Sequence, residues 1–66
     1  MRSNLIDIAG VIHHETEKAI LFSDTDDEKD AVWLPKSVVE IEPDPRKPDH
    51  ATVTMPERLA KTKGLI

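Results

Sequence analysis

Apolar residues in this chain come in five short runs, each cut off by a charged or proline-rich segment, and only the last dozen residues change period. Runs that short, with side chains alternating between two faces, suit strands and not helices. The first run spans Asn4 to His14. Ile6, Ile8 and Ile12 share one face, Leu5, Ala9 and Val11 the other, and Gly10 inside the run signals a bulge or sharp bend. Lys18 to Ser23 is the second, with Ile20 and Phe22 alternating against Ala19 and Leu21.

Between the second and third runs lies Asp24-Thr25-Asp26-Asp27-Glu28-Lys29-Asp30, five acids in seven residues. Such a segment resists burial, so it reads as the exposed tip of a hairpin. Ala31 to Leu34 forms the third strand and stops at Pro35, which has no amide hydrogen for a ladder. A tight turn or single 3₁₀ turn at 35–37 leads into a fourth strand, Val38 to Glu42. The three prolines between Pro43 and Asp49 predict a loop, and His50 to Met55 a fifth strand with Val53 and Met55 on one face.

The period then lengthens. Thr54-Met55-Pro56-Glu57 has the form of a capping box, in which the Thr54 hydroxyl accepts from the Glu57 amide. Arg58, Lys61 and Lys63 suit a helix C-terminus, and Gly64 a left-handed stop. These features predict a helix from Met55 to Lys63 with Leu59 inward, docked with help from Leu65 and Ile66, because so short a helix does not persist alone. Five meandering antiparallel strands and one terminal helix describe a mainly β, small and strongly bent barrel in a single domain, residues 1–66.

Composition narrows the function. The 66 residues carry a net charge of −4 and no cysteine, which excludes disulfide scaffolds and thiolate zinc sites. No apolar run approaches the roughly 20 residues that span a bilayer, so a cytoplasmic protein with no membrane partner is expected. A domain below roughly 70–80 residues usually needs a staple or an oligomer interface, which makes a homodimer or an obligate partner an open alternative. Few residues remain to build a pocket once the core is filled, and no catalytic constellation is present, so a binding module is expected and not an enzyme. No cofactor is expected.

Two resemblances add to this. Trp33-Leu34-Pro35-Lys36-Ser37-Val38-Val39-Glu40-Ile41 resembles the end of an SH3 domain, where a strand ends in apolar-Pro, one 3₁₀ turn follows and a last strand begins. The resemblance implies a small five-stranded antiparallel SH3-like barrel. Val38 stands where SH3 domains usually have tyrosine, and Phe22 and Trp33 are the only aromatics, so it does not imply polyproline binding. The blocks Glu15-Thr16-Glu17-Lys18-Ala19, Val32 to Ser37, Val53 to Glu57, Leu59 to Lys61 and Lys63 to Ile66 resemble, in order and spacing, a group of short proteins of bacteriophages and other mobile elements. That resemblance implies a phage or prophage setting and brings no catalytic residue.

Several side-chain clusters are candidate sites. His13 and Glu15, with His50, offer metal-ligand chemistry, and alternation puts His14 on the opposite face; the plainer reading is a polar strand end. Asp24, Asp26 and Glu28 alternate like the start of a calcium loop, but Lys29 and Pro35 stand where that motif needs glycine and glutamate. Lys36-Ser37 after a proline lacks the glycine-rich loop of a nucleotide site. Trp33, the single tryptophan of a tiny domain, is expected in the core; its alternatives are an interface anchor or a platform for a nucleobase.

The acids Asp24, Asp26, Asp27, Glu28 and Asp30, with the adjacent Trp33 edge, form the leading candidate for a protein-binding surface. Such a patch meets a basic partner and steers association. The expected partner is a host or phage protein, with inhibition of a defence or nucleic-acid-processing machine as the expected outcome. The alternative is a nucleic-acid-binding accessory protein of replication or recombination. It would use Trp33, Lys36, Arg58, Lys61 and Lys63.

Overall fold

The computed structural model describes residues 4–66. Five strands form one antiparallel sheet: β1 (Leu5–Glu15), β2 (Ala19–Ser23), β3 (Val32–Pro35), β4 (Glu40–Asp44) and β5 (Lys47–Pro56), followed by a helix, α1 (Glu57–Thr62). The strand order is β3-β2-β1-β5-β4. Short 3₁₀ turns occupy Glu28–Asp30 and Lys36–Val38. The mainly β SH3-like arrangement with a short C-terminal helix is therefore present.

Its curvature follows from one connection. β3 and β4 are the opposite edges of the sheet, yet only residues 36–39 join them. In a flat sheet, four spacings of about 4.8 Å would separate those edges by about 19 Å. A connector that contains a 3₁₀ turn rising about 2 Å per residue falls well short of that span. The sheet must curl, and it wraps its concave face around Ile20, Phe22, Leu34, Val39, Val53, Met55, Ala60 and Leu65. No ladder joins β3 to β4 among the described residues, so the expected barrel stays open there.

β1 is the central strand. Leu5 through Val11 pair with Pro56 through His50 on β5, and Val11 through Glu15 pair with Ser23 through Ile20 on β2. Ile6, Ile8 and Ile12 pack against the core, as their alternation predicts. Gly10 marks a close approach: a Cβ there would lie 2.1 Å from the Ser23 carbonyl oxygen and 2.7 Å from Phe22 Cζ. The bulge itself comes later, between Ile12 and His14.

Several expectations need correction. The segment Pro43 to Asp49 is not a loop: β4 runs to Asp44, a two-residue turn at 45–46 follows, and β5 starts at Lys47. Prolines survive here because β4 is an edge and Pro48 lies near a strand end, where a missing amide hydrogen costs little. The capping box does not form. Thr54 is still in a strand and its hydroxyl donates to Asp7 Oδ1 at 2.6 Å, while the Glu57 amide donates to the Asn4 carbonyl at 2.7 Å. The helix is consequently shorter than Met55–Lys63. Ala60 is its buried residue and Leu59 is only partly covered. Gly64 takes the left-handed conformation, φ 76°, and Leu65 then folds back so that its amide donates to Ala60 O at 2.8 Å. Leu65 is buried, whereas Ile66 is exposed.

Candidate functional site

The acidic segment is braced from below. Ser23, fully buried at the end of β2, donates its hydroxyl hydrogen to the Thr25 carbonyl. A serine hydroxyl has one hydrogen, so the 2.7 Å contact between His13 Nε2 and Ser23 Oγ needs the imidazole as donor. The β1 bulge and the second residue of the loop are thereby tied together. Above this anchor, Thr25 Oγ1 accepts from the Asp27 amide at 3.2 Å and donates to Asp30 Oδ2 at 3.4 Å. Asp27 Oδ1 accepts from the Lys29 amide at 2.9 Å and caps the 3₁₀ turn Glu28–Asp30. Sequence reasoning treats the acids as a solvated run; their short-range bonding makes the loop a shaped one.

All five acids, Asp24, Asp26, Asp27, Glu28 and Asp30, are exposed. Asp26 Oδ1 stands 3.9 Å from His50 Nε2, a long contact on a side chain that is almost fully solvated. The acids therefore form a negative surface with little internal compensation, the electrostatic condition for attracting a basic partner.

Trp33 corrects the core expectation. It is 44% exposed, because on β3 the buried position falls to Leu34 and the side chain before it must face outward. Leu21 lies opposite Trp33 on β2 and opposite His14 on β1, so the three form a row across the outer face. The His14 and Trp33 rings meet edge-to-face, with centroids 5.9 Å apart and planes at 89°. Sequence reasoning misses this row: the bulge at His13 sets which β1 residue reaches Leu21, and a bulge leaves no sharp signature in the sequence. The exposed indole follows Asp30, the last acid of the loop, by three residues in the chain.

The residues of the nucleic-acid alternative are not drawn together. Lys36 is held by Glu15, Nζ to Oε2 at 2.5 Å, so its charge is already matched. Arg58 and Lys61 project from α1, whose entry point pairs with Leu5 at the opposite end of β1 from His14 and thus from Trp33. Lys63 follows α1 and is half-buried.

The histidines end up near one another without becoming a metal centre. His13, His14, Glu15, Lys36, Asp49 and His50 rim a cleft floored by Ile12, Ile41 and Ala51. His13 Nε2 is engaged by Ser23 and Glu15 by Lys36, His14 packs edge-on against the Trp33 ring, and His50 Nδ1 is buried with no hydrogen-bond partner among the described residues. Among the described residues no cluster of three or more histidine, aspartate or glutamate side chains is arranged to hold a metal ion. The same holds for the alternating acids of the calcium-like run. Among the described residues no helix is long and apolar enough to cross a membrane.

Comparison of the chain with protein-family models, with curated proteins and with solved structures gave no match.

Proposed function

We propose that this chain is a non-enzymatic binding protein of a phage or mobile element. It works in the cytoplasm of a bacterial host by docking onto a basic surface of a host or phage protein. Covering the basic groove of a defence or nucleic-acid-processing machine would inhibit that machine, because carboxylates placed on such a groove occupy the positions of phosphates. The observation that carries the reading is the braced acidic loop: five exposed carboxylates on a seven-residue segment whose backbone is held by Ser23, Thr25 and Asp27. A preformed loop loses less conformational entropy on docking than a mobile one. Trp33, exposed three residues beyond the loop, supplies apolar area of the kind that anchors protein interfaces.

The reading is tested by capture from host lysate with tagged protein, beside a variant in which Asp26, Asp27 and Glu28 are replaced by lysine. A stoichiometric protein is expected with the wild type and lost with the variant, and the wild-type affinity should fall steeply with salt. Equal capture by both proteins, or capture of only nuclease-sensitive material, overturns the reading.

A further inference from the structure

The two edges of the sheet are built differently. β4 carries Glu40, Glu42, Pro43 and Asp44, the charges and proline that keep an edge from pairing. β3 is Val32-Trp33-Leu34-Pro35, with no charge at all, and no strand pairs with its outer side among the described residues. β3 is guarded only by its shortness and by Pro35 at its end, and from Val32 to Leu34 it carries none of the charges that guard β4.

The hydrogen-bond phase of β3 says where. The Lys36 amide donates to the Lys18 carbonyl at 2.8 Å, which extends the β2–β3 ladder by one bonded pair. Bonded and non-bonded pairs alternate in an antiparallel ladder. Ile20–Leu34 and Phe22–Val32 are therefore the bonded pairs, and Trp33, opposite Leu21, points its N–H and C=O away from β2. Pro35 has no N–H, and the Ala31 amide is already bonded to Glu28 O at 3.0 Å. Trp33 is thus the one β3 residue that offers both a donor and an acceptor to a new strand.

That arrangement is self-complementary. We infer that two copies of this chain pair antiparallel through β3, about a two-fold axis at Trp33. Each Trp33 amide donates to the other chain's Trp33 carbonyl, and the two indoles meet on the outer face. In this register Val32 lies opposite Leu34 of the second copy, and Ala31 opposite Pro35. Asp30 and Lys36 lie beyond the paired segment, in the 3₁₀ turns that flank β3, and Lys36 stays with Glu15. A strand of four residues buries little area, so the dimer is weak and concentration-dependent. It leaves Asp24, Asp26, Asp27 and Glu28 solvated on both copies, while a partner that also engages Trp33 must compete with it.

Two measurements on the purified protein test this, and their outcome is separate from that of the docking experiment, which needs a partner. Sedimentation equilibrium from low micromolar to millimolar concentration should move the mass from one chain to two, and Trp33→Lys, which sets two cations face to face across the axis, should hold it at one. Amide exchange of the wild type needs no variant. The Trp33 amide should exchange rapidly when dilute and slow at least several-fold when concentrated, while the Val32 and Leu34 amides are protected throughout. A wild type that stays one chain at millimolar concentration overturns the inference. So does a dimer that survives Trp33→Lys, or a Trp33 amide whose exchange ignores concentration.

Discussion

Replacing Gly10 by alanine tests the central packing claim. The β carbon would sit 2.1 Å from the Ser23 carbonyl oxygen and 2.7 Å from Phe22 Cζ. Neither neighbour yields easily. Phe22 is fully buried in the core, and Ser23 is fixed by its pairing with Val11 and by its bonds to His13 and Thr25. Relief requires β1 and β2 to part locally, so the cost reaches or passes the upper end of the usual overpacking range, about 3 kcal/mol. At about 4–8 °C per kcal/mol for a domain of this size, the thermal midpoint should fall by about 12–24 °C. Gly64→Ala is the control. It has open space around its β carbon but a φ of 76°, so only the left-handed backbone penalty applies, about 1–2 kcal/mol. Circular dichroism melts of the three proteins give the answer. If Gly10→Ala melts within a few degrees of wild type, or no lower than Gly64→Ala, the close approach of β1 and β2 is misplaced.

Other consequences are cheaper to check. Ser23→Ala strands the His13 donor and the Thr25 carbonyl near a buried position, which should cost about 1–3 kcal/mol and raise amide exchange at Asp27 and Lys29. Denaturant unfolding with residue-resolved exchange reads both effects, and unchanged exchange in the loop would remove the brace. Glu15→Gln should cost no more than about 1 kcal/mol, because the Glu15 side of the pair with Lys36 is solvated, and the difference should shrink in high salt. A larger, salt-independent loss would mean that the contact anchors the turn after β3.

The expectations that held are those in which one local interaction decides. Alternation assigns Ile20 and Phe22 to the core face of β2 and Val53 and Met55 to that of β5, since a strand has only two faces. Gly64 ends the helix because left-handed backbone excludes most other residues. The acidic run is legible as an exposed hairpin tip, since five carboxylates in seven residues resist burial together.

What failed was decided by residues distant in sequence. Thr54 has the right spacing to cap a helix, but Asp7, brought beside it by the β1–β5 ladder, takes its hydroxyl hydrogen. Pro43 and Pro48 look like loop residues until the sheet places them at an edge and near a strand end. Trp33 looks like core because it is the largest apolar side chain, yet Leu34 occupies the inward position and alternation turns the indole out. His14 becomes its neighbour only through a bulge three strands wide in its consequences. By itself, then, the sequence determines the first three strand runs, the inward faces of β2 and β5, the exposed acids and the helix stop, because those depend on local periodicity, charge and backbone sterics. Strand order, the two unlike edges, the brace beneath the acidic loop and the exposure of Trp33 belong to the tertiary structure. Each depends on which distant strand lies alongside, and pairing partners are chosen by packing the whole core at once.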